Sequence, residues 1–105
     1  MSQITTHVLD AAAGRPAAGL AVVLLDGDGD VLGRGVTDAD GRVAELGPER
    51  LEPGAYRLVF DTDGYFGETP HFHPVVAVDF RVAGAEHCHV PLLLSPFAYS
   101  TYRGS

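Results

Sequence analysis

The chain contains no lysine, so its positive charge comes from arginine alone. Seven basic residues stand against 14 acidic ones in a sequence of 105 residues, and the formal net charge is -7. Nucleic acids and anionic membrane surfaces attract proteins through basic patches. This charge balance therefore predicts neither a nucleic acid nor a membrane as a partner.

Cysteine is almost absent as well, since Cys88 is the only one. A single cysteine excludes an intramolecular disulfide and is typical of a reducing compartment. The first ten residues lack the basic segment and apolar run of a signal peptide. No stretch approaches the roughly 20 apolar residues of a membrane span. We therefore expect a cytoplasmic location.

Glycine and proline divide the chain into short segments. The 13 glycines and 7 prolines separate runs rich in branched and aromatic residues, which is the composition of β-strands. Such a pattern indicates an all-β sandwich of seven to eight strands, folded as one domain over residues 1–105. One short helix is predicted within "DTDGYFGE". The predicted strands cover residues 4–9, 20–26, 31–36, 42–45, 55–61, 74–82, 88–95 and 98–103.

The two-residue period of a strand assigns faces to the first strand and to the strand that begins at Cys88. Successive side chains of a strand point to opposite sides of its sheet. Val8 and Val90 are natural core residues, which places His7 and His89 on outward faces. An outward face becomes a pocket only if something packs on it, such as another copy of the same sheet.

The motif "DGDGD" at residues 26–30 resembles the start of a calcium-binding loop. Such a loop requires a glycine at its sixth position and a glutamate at its twelfth. This sequence has Val31 and Thr37 at those positions. We therefore interpret the motif as a hairpin turn.

Two H-x-H pairs are a second possible source of metal ligands: His71 with His73, and His87 with His89. Residues two apart on a strand point the same way, which suits two imidazoles on one zinc ion. No third ligand is specified by the spacing. We therefore predict no metal site.

Four other residues have side chains suited to hydrolysis. A histidine, with an ordinary pKa of about 6.5, can act as a general base near neutral pH, which makes His7 and His89 candidates. Arg42 follows the turn "TDADG" and is a fixed cation that can hold a planar or anionic substrate through two hydrogen bonds. Ser105 adds a donor and an acceptor. Spacing alone does not establish that the four converge, and the G-x-S-x-G nucleophile motif is missing.

Both ends of the sequence carry the motifs of a known family. "ITTHVLD" at residues 4–10 and "HCHVPLLLSPFAYSTYRGS" at residues 87–105 resemble the 5-hydroxyisourate hydrolases, the enzyme branch of the transthyretin family. The closing "YRGS" is the most specific of these motifs. Residues 14–60 resemble prealbumin-like β-sandwich modules in general, so the resemblance covers nearly the whole chain.

The resemblance implies an activity and a site. The reaction is the hydrolytic ring opening of 5-hydroxyisourate to 2-oxo-4-hydroxy-4-carboxy-5-ureidoimidazoline, a step of urate degradation in purine catabolism. No metal or organic cofactor takes part. The implied catalytic residues are His7, Arg42, His89 and Ser105, and the implied substrate-binding residues are His7, Arg42, Tyr102 and Ser105.

The resemblance also implies a homotetramer whose last strand lies at the subunit interface and helps to build the active site. In transthyretin, the hormone carrier of the family, a lysine occupies the position of His7 and the closing signature is lost. This sequence therefore favours the enzyme. The alternatives are a non-catalytic small-molecule carrier, a structural prealbumin-like module, and a metal-dependent hydrolase built on the H-x-H pairs.

Overall fold

The computed structural model describes residues 2–105, which form two β-sheets and one short helix. Helix α1 (Thr62–Phe66) lies between the sixth and seventh strands. The first sheet contains β1 (Ile4–Asp10), β2 (Arg15–Pro16), β5 (Arg42–Val43), β8 (Cys88–Leu94) and β9 (Tyr99–Thr101). The second sheet contains β3 (Ala21–Leu25), β4 (Val31–Val36), β6 (Gly54–Phe60) and β7 (Val76–Val82).

The first sheet joins distant parts of the chain. Strand β1 pairs in parallel with β8 and antiparallel with both β2 and β5. Strand β9 lies at the edge, beside β8. The second sheet is antiparallel throughout and has the order β4-β3-β6-β7. The parallel pair β1–β8 is what sets residues 5–7 beside residues 89–91.

The core lies between the two sheets. Along β1, Ile4 and Val8 are fully buried, whereas the alternate residue His7 is half-buried. Along β8, Val90 is buried and His89 is half-buried. The predicted faces are therefore confirmed, and both histidines lie on the side away from the core. Each large apolar side chain removed from water stabilises the fold by roughly 1.5–3 kcal/mol. The largest fully buried ones are Phe60, Ile4, Leu20, Leu24, Leu46, Leu58, Leu92 and Leu94.

Helix α1 is anchored at its start and on its side. The Asp61 carboxylate accepts a hydrogen bond from the Gly64 amide (3.0 Å), as an aspartate at a helix N-cap commonly does. The Tyr65 hydroxyl donates to Oδ2 of the buried Asp10 at 2.7 Å. Burial and this hydrogen bond raise the pKa of Tyr65 to about 12. The phenol therefore keeps its proton at neutral pH and ties the helix to the end of β1.

The all-β sandwich and its short helix are confirmed, with differences at the boundaries. The predicted strand 31–36 coincides with β4, and the helix lies within "DTDGYFGE". The predicted strand 42–45 is reduced to two residues, and the one at 74–82 begins at Val76. Strand β2 is additional, which brings residues 2–105 to nine strands. Two residues are too few to show an alternating pattern, so Arg15 and Pro16 lie outside the predicted strands.

Within residues 2–105 there is no helix long and apolar enough to cross a membrane.

Candidate active site

Three strands bring His7, Arg42 and His89 to one face of the first sheet. His7 on β1 is the register partner of Arg42 on β5. Thr5, two residues before His7, is the partner of His89 on β8. Paired residues of neighbouring strands share a face, as do residues two apart on one strand. The sheet therefore gathers three predicted site residues from distant parts of the sequence.

A tight turn holds Arg42 against β1. The Asp38 carboxylate accepts a hydrogen bond from the Arg42 amide at 3.0 Å. Gly41 has a φ of 76°, a conformation that glycine adopts without strain. Its carbonyl accepts a hydrogen bond from the Val8 amide at 2.7 Å, and a β-carbon at position 41 would clash with the Val8 carbonyl oxygen. The Asp-Gly sequence before Arg42 is therefore required by the close approach to β1.

The closing "YRGS" runs beside β8. After β9, the Gly104 amide donates a hydrogen bond to the His89 carbonyl at 2.9 Å, which makes an antiparallel bridge between these two residues. A β-carbon on Gly104 would lie 2.6 Å from Cδ2 of His89 and 3.1 Å from Cγ of Pro91. Only glycine allows the tail to pass this close to the histidine ring. The next residue, Ser105, is thereby placed beside His89.

A groove of about 210 Å³ lies over this part of the sheet. Arg42, His89 and Ser105 line it together with Thr5 and His87. A cation, two imidazoles and the hydroxyl groups of Thr5 and Ser105 therefore line one open space. These groups can bind a polar ring, remove a proton from water and stabilise negative charge on oxygen.

Two of the predicted site residues do not line this groove. His7 is the register partner of Arg42 and lies on the same face of the sheet. It is close enough to His89 to contribute to the lowering of the His89 pKa. Tyr102 lines a second groove, of about 310 Å³, that it shares with Cys88, His89 and Arg103. A role of Tyr102 in substrate binding stays a prediction.

His89 is the residue common to both grooves, and its surroundings favour the neutral ring. Burial lowers the pKa of His89 below its ordinary value. Electrostatic interactions with Arg42, then with His87 and His7, lower it further. Its Nδ1 is 2.9 Å from the Thr5 hydroxyl. Within residues 2–105 no hydrogen bond engages its Nε2. A neutral imidazole with one nitrogen in a hydrogen bond and the other free to accept a proton can act as a general base.

The H-x-H pair at residues 71–73 lies elsewhere. Nδ1 of His71 donates to the Thr69 carbonyl at 2.7 Å, and Nε2 is 2.6 Å from the Asp63 carboxylate. The His73 ring packs edge-on against Tyr99, with ring centroids 5.0 Å apart. Both histidines therefore have structural contacts of their own.

The "DGDGD" segment forms the hairpin turn between β3 and β4, as predicted. Its three carboxylates approach within 4.8 Å of one another. The Asp26 carboxylate accepts hydrogen bonds from the amides of Asp28 and Asp30, both at 2.9 Å. This bonding is typical of an aspartate that closes its own turn.

Thr5 and His87 line the groove, although neither is predicted from the sequence to act in catalysis. The signal is present in the strand period, because Thr5 shares a face with His7 and His87 shares one with His89. The strand period assigns Thr5 to one face of β1 and His87 to one face of the segment before β8, but it does not show that the two strands are neighbours. The parallel pairing of β1 with β8 is what turns two faces into one groove.

Comparison with known proteins agrees with the geometry. Residues 4–104 match the sequence model of the HIUase/Transthyretin family. The 5-hydroxyisourate hydrolase of Caulobacter vibrioides is 46% identical to the chain, with 100% of each protein covered.

Solved structures of an enzyme and of a transthyretin fit the fold equally well. The 5-hydroxyisourate hydrolase of Klebsiella pneumoniae superposes with a TM-score of 0.88 at 36% identity, over 97% of this chain and 98% of that one. Sea bream transthyretin in complex with thyroxine superposes with a TM-score of 0.88 at 34% identity, over 97% and 94% of the two chains. The fold alone therefore does not separate catalysis from binding, and the residues of the groove must do so.

Proposed function

The chain belongs to the HIUase/Transthyretin family, and on that premise we propose that it hydrolyses 5-hydroxyisourate. The product is 2-oxo-4-hydroxy-4-carboxy-5-ureidoimidazoline, and the reaction belongs to urate degradation. Full-length identity of 46% to a protein named for this activity supports the enzyme over the carrier.

One observation carries the proposal: Arg42, His89 and Ser105 line the same groove, and His7 lies at the register position of Arg42. Two of these four residues, His7 and Ser105, belong to motifs in which the transthyretin carriers differ. The carriers have a lysine in place of His7 and lack the "YRGS" ending. The site therefore combines groups that a carrier does not need. We propose catalytic roles for all four.

The reaction adds water across one C–N bond of the substrate ring. The water oxygen bonds to a ring carbonyl carbon, the C–N bond breaks, and the leaving nitrogen takes up a proton. His7 and His89 position the water and remove its proton, and one of them returns a proton to the leaving nitrogen. The lowered pKa of His89, caused first by burial and then by Arg42, keeps this ring neutral and able to accept a proton.

The remaining groups act on the substrate and on the developing charge. Arg42 holds the polar edge of the ring and stabilises the negative charge that develops on the attacked carbonyl oxygen. The Ser105 hydroxyl orients the substrate beside His89. Tyr102 and Arg103 fix the tail that carries Ser105, and Tyr102 contributes to binding from the second groove. No step requires a metal or an organic cofactor.

We also propose a homotetramer. Strands β7 and β9 lie at the edges of the two sheets, and edge strands are natural sites for pairing with another copy. Phe97, Tyr99 and Tyr102, in and beside β9, are 67%, 40% and 58% exposed, and exposed apolar surface along a sheet edge is typical of interfaces. Stacking of two dimers on the face that carries His7 would close the groove from above. Light scattering should give four times the mass of one chain.

We also propose that the protein is cytoplasmic, as expected from its single cysteine. We propose further that residues 1–105 form a single domain.

The decisive experiment generates the substrate in place. Urate oxidase converts urate to 5-hydroxyisourate, whose transient absorbance decays spontaneously, and purified protein is added during this decay. We expect a decay rate that rises in proportion to protein concentration. Decay at the spontaneous rate, together with saturable binding of a ring-shaped ligand, would indicate a carrier.

Chelator treatment provides the control for a metal-dependent hydrolase. We expect the same decay rate after incubation with a chelator and removal of it by gel filtration. Loss of activity that zinc restores would favour the H-x-H interpretation instead.

A further inference from the structure

The Thr5 hydroxyl lies between two imidazole rings. Its Oγ1 is 2.9 Å from Nδ1 of His89 and 2.9 Å from Nε2 of His87. The two rings are nearly parallel, with planes inclined by 23° and centroids 6.3 Å apart. A continuous hydrogen-bonded chain therefore runs from the half-buried His89 to the exposed His87.

The position of His87 in this chain is built into the fold. The Gln3 side chain, which is buried, donates hydrogen bonds to the carbonyls of Gly84 (2.7 Å) and Glu86 (3.0 Å). The backbone amide of Cys88 donates to the Gln3 carbonyl at 2.9 Å. These bonds fix the chain on both sides of His87. The backbone that carries His87 is therefore held beside β1, within reach of the Thr5 side chain.

A threonine hydroxyl has a single proton, so it can donate to only one of its two neighbours. When it donates to Nε2 of His87, the proton of neutral His89 resides on Nδ1 and points at Thr5. Nε2 of His89 is then bare. When the hydroxyl donates to His89 instead, Nε2 of His89 carries the proton and cannot act as a base. The state of His87 therefore determines which tautomer of His89 is present.

We propose that Thr5 and His87 are positioning residues for the hydrolysis: Thr5 holds His89 with Nε2 bare, and neutral His87 holds the Thr5 hydroxyl in the required direction. The inference rests on the proposed function, because it specifies how one base of that reaction is prepared. Protonation of His87 at Nε2 removes the acceptor that Thr5 needs. The hydroxyl is then free to turn toward His89, and the active tautomer is depleted.

Charged groups around this chain come from several elements. Arg42 approaches His89 from β5 and His7 from β1, and both act with His87 to lower the pKa of His89, after the larger effect of burial. Arg103 of the tail lines the other side of His89. Of these groups only His87 is altered in the variants described next. Its removal can shift the pH at which His89 is protonated, but it does not change how many protons the other groups bind, so the limiting slope of the pH profile reports on the proposed chain.

The test compares His87→Gln, Thr5→Val and Thr5→Ser with the wild-type chain. Removing the partner that orients a metal-bound imidazole typically costs about 10–100-fold in activity, and we expect the same range for an imidazole that acts as a base. We expect a loss of this size in kcat for Thr5→Val and recovery to within about threefold of wild type for Thr5→Ser. KM should change little in either variant, because neither residue is assigned to hold the substrate. His73→Gln, a histidine outside the groove, serves as the control and should be unaffected.

The pH profile of His87→Gln carries a second signature. In the wild-type chain both His89 and His87 must be neutral for activity, so each contributes one protonation to the acid limb. The limiting slope of log kcat against pH should therefore be about one unit smaller in His87→Gln. His87 is exposed, so this variant is expected to fold even if Thr5→Val does not. Equal slopes, with kcat within twofold of wild type, would overturn the proposal.

Nitrogen-15 NMR separates this inference from the proposed function, since it reads the tautomer of His89 without any turnover. We expect the Nδ1–H form in wild type near pH 7.5 and a shift toward the other tautomer in Thr5→Val. Wild-type protein with this tautomer but no hydrolysis would contradict the function and leave the hydrogen-bonded chain intact. An unchanged tautomer in Thr5→Val, in an active wild-type background, would contradict the inference alone.

Discussion

Gly104 and His89 are joined by a backbone hydrogen bond of 2.9 Å, and they pair so closely that a β-carbon on Gly104 would clash with the His89 ring. This contact explains the glycine in the closing "YRGS". It also explains how a residue so near the end of β9, Ser105, comes to line a groove with Arg42.

The first prediction concerns Gly104→Ala. The added β-carbon would lie 2.6 Å from Cδ2 of His89, so either the tail or the ring must move. Displacement of a catalytic group by about 1 Å can cost on the order of 10²-fold in rate, and we expect a loss of about 10–100-fold in kcat. Gly84→Ala is the matched control, because its β-carbon would meet nothing within 4 Å. Full turnover in Gly104→Ala would exclude the tail from the site.

The second prediction concerns the two proposed bases. General acid–base catalysis typically contributes about 10²–10⁴-fold, so His7→Ala and His89→Ala should each lower kcat by at least roughly 10²-fold. Light scattering must show the same assembly as wild type. His73→Ala provides a histidine control outside the groove. A histidine whose removal leaves turnover nearly normal has no part in the mechanism.

The third prediction concerns Gly41→Ala, in the turn before Arg42. A positive φ costs a residue with a side chain about 1–3 kcal/mol, and the clash with the Val8 carbonyl oxygen adds to this at position 41. Gly14, with a φ of 70°, has nothing within 4 Å of an added β-carbon, so Gly14→Ala measures the conformational cost alone. Urea unfolding should show the larger destabilisation for Gly41→Ala. That variant should also have a raised KM, since Arg42 would be displaced. Equal destabilisation in the two variants would argue against a close packing of Gly41 on β1.

The fourth prediction concerns the dependence of stability on pH. The hydrogen bond to the Thr69 carbonyl, followed by that to Asp63, raises the pKa of His71, because both ring nitrogens are donors only in the imidazolium form. A histidine whose pKa is raised by folding stabilises the folded protein when it is protonated. This stabilisation is complete below the pKa of the unfolded state, about 6.5, and is lost as pH rises through the pKa of the folded state. His71→Gln should therefore be less stable than wild type by a difference that is largest near pH 6 and shrinks toward pH 9. Urea unfolding across this range measures it, and a difference that does not vary with pH would refute the ion pair.

Local patterns account for the parts of the fold that were predictable. The alternation in "THVL" and "HVPLL" places Val8 and Val90 in the core, because a two-residue period needs only neighbouring residues to be read. The turn before Arg42 is visible in its Asp-Gly pair. Strand β2 is not visible, since Arg15 and Pro16 are stabilised by pairing with β1 rather than by their own sequence.

The groove was less accessible to prediction than the fold. Its candidate bases are recognisable by residue type, and their faces by period, but no local pattern encodes a parallel register between β1 and β8. The hydrogen bond from Thr5 to His89 depends on that register, as does the contact of Thr5 with His87. Tyr102 illustrates the same limit. It lies in the same tail as Ser105, yet the two residues line different grooves, and the sequence does not show which groove each will line.

The Thr5–His89 contact spans 84 positions of the sequence, and this has a consequence for folding. Bringing such distant segments together costs loop-closure entropy before any stabilising contact between them forms. The antiparallel β3–β4–β6–β7 sheet joins only segments between residues 21 and 82, so it can form before β1 has paired with β8. Catalytic competence should therefore appear only after β8 has paired with β1, so that a chain truncated before Cys88 has no activity.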